Sequence, residues 1–342
     1  MKIRFAYISL LITLSLLNIA CEEDFNPKTA IRNDLYIANC TISTYGGVYS
    51  SPSVKLVLSR PYDVNGFVAQ NPDSSMCING AEVIFTYANK DYVLVDSVQL
   101  RDKLDDGTYR YYYKKLHYYY SPKMLMSKSE YGRDNCKIVV KMPDGHILSA
   151  ETTTPLILQI ESNRTFNHGI TTNVNSFYWG TSLTFSWGED IFPDHLFFSK
   201  FSINATNLKT GQSFDVEIPL KYVSKNGQSI PVYPNPNNGP SVSYEYSAID
   251  FAMKSIASFA SDPSDIRING ASFIITDYDR NLAAYYSSTN GYLDSYSIRL
   301  DENTYSNIIG GLGIFGSYKV NSRTFSVDRD YVHSFGYKTN AD

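Results

Sequence analysis

The chain has 342 residues, a formal net charge of −4 and 29 Tyr and 18 Phe beside only 2 Trp. Its Lys and Arg are spread along the sequence rather than clustered, so no field steers it toward nucleic acid, and that class of partner is set aside. The length suffices for two ordinary domains with real cores, and the wealth of Tyr, Phe, Val, Ile and Thr suits a pleated, half-buried surface.

The N-terminus carries Lys2 and Arg4, then an almost unbroken apolar run from Phe5 to Leu17, and closes on Leu17-Asn18-Ile19-Ala20-Cys21. This is the three-part layout of an export signal. The apolar run is too short for the roughly 20 residues of a membrane-spanning helix. Residues 1–20 therefore read as a signal peptide that is removed.

Ala20 followed by Cys21 resembles a bacterial lipobox, although Asn18 stands where leucine is common and Leu17 lies one place early. The resemblance implies acylation of Cys21 and a membrane attachment through it. Each buried acyl CH₂ contributes about 0.8 kcal/mol, so several chains on one cysteine anchor the protein stably. Residues 21–29 form a polar tether, in which Glu22-Glu23-Asp24 looks like the acidic tract that sends Bacteroidota lipoproteins to the outer face of the outer membrane.

The folded body is expected to start near Ala30, with Leu35 to Asn39 opening the first strand-like run. Val54 to Leu58, Ala81 to Tyr87, Tyr92 to Val98 and Lys137 to Met142 each alternate apolar and polar residues between turn formers, the mark of short half-buried strands. Asp105-Asp106-Gly107 and Pro143-Asp144-Gly145 are turn signals, and Ile147 to Glu151 follows the second. This spacing predicts a β-sandwich of immunoglobulin or transthyretin type over 30–154. Thr152-Thr153-Thr154-Pro155 is the expected junction, since proline favours an extended predecessor.

A second β-rich domain is expected over 155–342. Ser182 to Trp187 and Phe197 to Thr206 alternate like strands, with Trp187 as a core anchor, and Pro231 to Pro240 reads as a long loop. Ser247 to Phe259 sets Ile249, Met253, Ile256 and Phe259 at helical spacing. Ile266 to Asp277 returns to strand character, Arg280 to Ser288 suggests a second short helix, and Ser295 to Leu300 is strand-like again. The fold class predicted is mainly β, two sandwiches, the second with one or two helical insertions.

Beyond Cys21 there remain Cys40, Cys77 and Cys136. An exported chain could pair Cys136 with Cys77 or with Cys40, and three free thiols are the other outcome.

The segment Asn307 to Gly316 holds Gly310, Gly311, Gly313 and Gly316, which permit φ > 0 and close backbone approach. It lacks the Gly-Lys-Ser/Thr ending of a phosphate loop, and a structural turn beneath the core accounts for it. With the signal, Cys21 and its acidic followers, and Thr154-Pro155, this segment resembles a family of Bacteroidota lipoproteins catalogued as domain of unknown function 4249. That resemblance implies a surface lipoprotein without assigned chemistry, a companion of outer-membrane TonB-dependent transporters.

Catalytic spacing is not visible. His117, His146, His168, His195 and His333 sit in unrelated segments without H-E-x-x-H spacing, and no G-x-S-x-G elbow occurs. Asp277-Tyr278-Asp279 and Asp328-Arg329-Asp330 lack the continuation of a calcium loop and read as turn acids. No metal or cofactor is predicted.

The candidate binding feature is aromatic: Tyr109 and Tyr111 to Tyr113, then Tyr118 to Tyr120, with Lys114, Lys115 and His117 between. Strand alternation sends neighbours to opposite faces, so Tyr111, Tyr113, Tyr118 and Tyr120 are the candidates to meet a glycan or peptide while the rest fill the core. The expectation is a non-enzymatic accessory binding or assembly component on the cell surface beside a β-barrel transporter. An adhesin or glycan-binding lipoprotein, and a surface glycosidase or peptidase with carboxylates brought together by the fold, are the competing readings.

Overall fold

A computed structural model describes residues 35–45, 53–60, 77–99, 116–125, 133–163, 169–172, 181–188, 194–288 and 305–342. Cys21, Tyr111, Tyr113, the 105–107 turn, His168 and the 295–300 segment lie outside the described residues. The chain is mainly β, with large sheets and few helices, consistent with the sandwich class.

The first half supplies β1 (Ile37–Tyr45), β2 (Ser53–Ser59), β3 (Glu82–Tyr87), β4 (Lys90–Gln99), β5 (Leu116–Tyr120), β6 (Asn135–Lys141) and β7 (Ile147–Thr153). In β2 and β3 the alternation is the predicted one, burying Val54, Leu56 and Leu58 and then Val83, Phe85 and Tyr87, whereas in β4 it holds for Tyr92 and Leu94 and fails beyond them, where Val95 and Val98 are exposed. β3 and β4 join through Ala88 and Asn89, both at positive φ, a tight turn whose twist matches the strands it connects. β4 then changes partner: Lys90 to Leu94 pair with β3, and Val95 to Gln99 pair with β5. That switch folds the sheet over, so β1, β2 and β5 face β3, β6 and β7 across a core of Cys40, Ile42, Leu56, Phe85, Ile138 and Val140.

The second half supplies the short β8 (Glu161–Ser162), then β9 (Ser182–Ser186), β10 (Leu196–Asn207), β11 (Ser213–Glu217), β12 (Lys221–Lys225), β13 (Gln228–Val232), β14 (Ser241–Glu245), β15 (Ile266–Tyr278) and β16 (Leu312–Phe325). It also holds the helices α1 (Tyr246–Ser255), α2 (Arg280–Ser288) and α3 (Arg329–His333). The β14-β9-β8 layer faces β10 and β15, and Phe185 stacks on Phe273 with ring centres 4.1 Å apart. Trp187 is buried in this core as predicted, and α1 adds Ile249 and Met253 to it. The helical run continues as a 3-10 turn over Ile256–Phe259, which leaves Phe259 half exposed rather than in the core, stacked instead on Phe214 at 4.3 Å. Part of the expected 231–240 loop is strand: Pro231 lies in β13, which pairs with β12 around Asn226-Gly227, both at positive φ.

β16 ties the halves together. Its first residues run parallel to β1, from Ile37↔Leu312 to Tyr45↔Val320, and its last run antiparallel to β15, from Tyr278↔Tyr318 to Ala271↔Phe325. One hydrogen-bonded ladder of 11 strands therefore crosses from one core to the other. Phe315 belongs to the first core and Phe325 to the second.

Between the cores the same strand buries Ser317, Lys319 and Asn321. Asn321 accepts from the Leu158 amide at 3.2 Å, and Ser317 donates to the Thr153 carbonyl at 3.1 Å. Burial pulls the Lys319 ammonium below its ordinary range, opposed by the carboxylates of Asp134 and Asp277. Thr154, at the predicted junction, is itself buried and accepts from the Asp134 amide at 2.8 Å.

The glycine segment is structural. Gly310 and Gly313 hold φ of +85° and +124°, and a Cβ on Gly313 would lie 2.0 Å from the Ala38 carbonyl oxygen. Gly316 lets α2 close on the sheet, because a Cβ there would meet Leu282 at 2.5 Å. Cys40, Cys77 and Cys136 are free thiols, the first and last buried in the first core.

Candidate functional site

Tyr118, Tyr119 and Tyr120 alternate as a strand requires. Tyr119 points inward, fully buried, and its hydroxyl donates to the Ile78 carbonyl and accepts from the Ala81 amide, both at 3.1 Å. Tyr118 and Tyr120 point outward as a tilted pair with ring centres 5.8 Å apart. Of the four tyrosines predicted for binding, the structure thus brings these two together on one face.

Register supplies their neighbours. Thr41 of β1 pairs with Lys55 of β2, and Lys55 with Tyr120 of β5, so one outward row crosses three strands. The Lys55 ammonium lies 4.6 Å from the centre of the Tyr118 ring, in range of a cation–π attraction. Around them an open groove of about 670 Å³ is lined by Ser53, Val98, Ser121, Lys123 and the exposed Met124. Such a surface offers stiff aromatic area, hydroxyls at its rim and positive charge.

The same face continues toward α2. A smaller pocket of about 60 Å³ is lined by Asn39, Thr41, Lys55, Val57, Ile314 and, on the helix, Leu282, Tyr285 and Tyr286. Lys55 lines both cavities. Asn39 Oδ1 is shut from solvent and accepts no hydrogen bond within the protein, an arrangement that costs about 1–3 kcal/mol when a polar atom is left so. Tyr286 and Tyr278 pack edge to face at 5.1 Å, and burial pushes both hydroxyls up, Tyr278 to about 12, so they stay protonated donors at neutral pH.

The helix that walls this pocket is held by Asp279. Its carboxylate caps α2 by accepting from the Leu282 amide at 2.8 Å, and it also accepts from Thr152 and from the amide and hydroxyl of Ser317. Burial nevertheless raises the carboxyl to about 6. Asp277 and Asp279 are thus interior groups rather than solvated turn acids, whereas Asp328 does cap a turn, accepting from the Tyr331 amide at 2.9 Å.

A second arrangement was invisible in the sequence because its members are 82 positions apart: His195 Nδ1 lies 2.7 Å from Asp277 Oδ1. The β10–β15 register, which pairs Leu196 with Tyr278, brings them together. Burial raises the Asp277 carboxyl, opposed by His195 and Lys319. His195 lines an open cleft of about 660 Å³ with Asp194, Asn237, Arg280 and Ser287. A carboxylate-oriented imidazole is able to move a proton. Among the described residues no group of three or more His, Cys, Asp and Glu side chains could hold a metal ion.

Set against known families, curated proteins and solved structures, the chain matches no family model, no curated protein and no solved structure.

Proposed function

We propose that this chain is a lipid-anchored protein of the outer membrane, acylated at Cys21 and facing outward, that serves as a non-enzymatic binding component beside a TonB-dependent β-barrel transporter. The observation that carries the binding role is the outward pair Tyr118 and Tyr120 with Lys55 above them in an open groove. The anchor is supported by the apolar run that ends at Cys21 and by the acidic residues after it. Among the described residues no helix is long and apolar enough to cross a membrane. The transporter association rests on the resemblance of Asn307 to Gly316, with the signal and Cys21, to a lipoprotein family. The ligand is a glycan or a peptide, the two classes that exposed tyrosines recognise best.

The test is copurification. The full chain, extracted in mild detergent, is expected to bring a large β-barrel protein with it, and Cys21→Ala is expected to lose the acyl label and the membrane fraction together. Isolation as a lone monomer in repeated trials would sink the transporter association.

A further inference from the structure

We propose that the outward face of the sheet β4-β3-β6-β7 is the side on which the anchored body lies against the lipid surface, with Ile147 and Ile309 as the contact at the tethered end. The inference rests on the acylation of Cys21 proposed above and adds how the attached body is oriented.

Strand register builds an apolar row across that face. Val93 pairs with Ile84, Ile84 with Val139 and Val139 with Ser149, and Ser149 bridges Ile309 through two backbone hydrogen bonds of 3.0 and 2.8 Å. All but Ser149 are aliphatic. Ile147 stands two positions from Ser149 on the same strand and so shares its face. Val93, Ile147 and Ile309 are 65%, 57% and 72% exposed, while their inward neighbours Tyr92, Leu94, Ile138, Val140 and Leu148 fill the first core. A contiguous apolar row left outside a completed core marks contact with something beyond the fold.

Place, size and charge decide what covers it. Leu35, the first described residue after Cys21, enters the fold at this end of the sheet. The Tyr36 carbonyl accepts from the Leu312 amide at 2.8 Å, just beyond Ile309, and the Tyr36 ring centre lies 5.2 Å from that of His146, next to Ile147. A chain as long as that from Cys21 to Leu35 spans at most about 50 Å, so an acylated Cys21 holds this end of the body, and the two isoleucines with it, within that distance of the bilayer.

Four strands about 4.8 Å apart, each contributing roughly six residues at about 3.4 Å, make a face on the order of 400 Å². A stable protein interface takes about 800 Å² from each partner, so this face is too small to hold a second copy or a soluble protein by itself. A lipid surface already joined through the anchor needs less contact, because the attachment has made the encounter intramolecular. The rows beside the apolar one, Asp91, Thr86, Lys137 and Glu151 on one side and Glu82 with Lys141 on the other, mix both signs, and Lys137 pairs with Glu151 at 3.1 Å. Such a border suits zwitterionic headgroups, with the aliphatic row supplying the attraction. Because β1, β2 and β5 form the opposite side of the core, the same placement turns the Tyr118–Tyr120 groove away from the bilayer.

The experiment is lysine footprinting with a water-soluble acylating reagent, read residue by residue by mass spectrometry. The acylated mature chain floated on phosphatidylcholine–phosphatidylethanolamine vesicles is compared with the same mature chain free of acyl groups in buffer. Lys137 and Lys141 are expected to react several-fold more slowly on the vesicles, and Lys123, beside the tyrosine groove, at an unchanged rate. Ile147→Asn combined with Ile309→Asn is expected to restore the reactivity of Lys137 and Lys141 with flotation and the unfolding midpoint unmoved, since both side chains are mostly exposed. Equal reactivity of Lys137 and Lys141 in the attached and free chains would overturn the proposal, as would protection of Lys123 in their place or protection that survives the double substitution. Protection that grows with the density of protein on the vesicles would identify a second copy as the occupant and overturn it too. A chain that does not float with the vesicles would remove the anchor reading and this inference with it, whereas a chain that floats with all three lysines equally reactive removes this inference alone.

Discussion

Asp279 shows how one side chain sets a pH dependence. Its carboxyl is raised to about 6 in the folded protein, against about 3.9 in an unfolded chain. The folded state therefore binds more protons than the unfolded state between those values, so this residue makes stability fall as pH rises from about 4 through 6. Asp279→Asn keeps an acceptor for the Leu282 amide and removes the titration. Urea midpoints at pH 4.5 and 7 should show a smaller difference between the two pH values for the variant than for the parent; an identical difference would mean that burial does not govern this carboxyl. The sequence showed Asp279 only as one half of an acid pair. Its four donors come from positions as distant as Thr152 and Ser317, and no local pattern announces them.

At the scale of an element, β5 separates core burial from outward exposure on adjacent residues. Tyr119→Ala removes a buried ring and both hydrogen bonds of its hydroxyl, and is expected to cost about 3–5 kcal/mol in urea unfolding. Tyr118→Ala removes an outward ring and is expected to stay within about 1 kcal/mol of the parent. Comparable losses from both would mean that the outward face is covered. Period-two alternation was readable here, as it was in β2, β3 and β6, because each of those strands has one face in a core and one in solvent; in β4 it holds only to Leu94, beyond which the strand changes partner and Val95 and Val98 are exposed. Helix α1 was readable through Ile249, Met253 and Ile256, while Phe259 misled because the turn tightens to 3-10 geometry before it. The β12–β13 hairpin carries a strong turn signal, Asn226-Gly227 between Tyr222-Val223 and Ile230, which the sequence reading did not use; only Pro231 to Pro240 was read as loop, and Pro231 and Val232 proved to be strand.

For the whole molecule the governing feature is β16, whose pairing with β1 joins positions 275 apart in sequence. Nothing local encodes a parallel pairing at that distance. The glycines of Asn307 to Gly316 were recognised as permitting close approach, but not that the approach is to Ala38 and to helix α2. The candidate face was half readable for the same reason. Tyr118 and Tyr120 declared themselves by composition, whereas Lys55, Asn39 and Tyr286 join them only through tertiary register. Because β16 is hydrogen-bonded in both halves and buries Lys319 between them, the described body is expected to unfold in one cooperative transition by calorimetry and by tyrosine fluorescence alike. Two separated transitions would show that the two cores unfold independently.

The shared strand also imposes an order of assembly. As the chain emerges from its N-terminus, β1 presents an unpaired edge, and Phe315 is missing from the core behind it, until residues 312–320 appear near the far end. An open edge of that kind is a template for pairing with other chains. The first core is begun early and finished late, so a product cut short before β16 would leave β1 unpaired on that side and the core without Phe315.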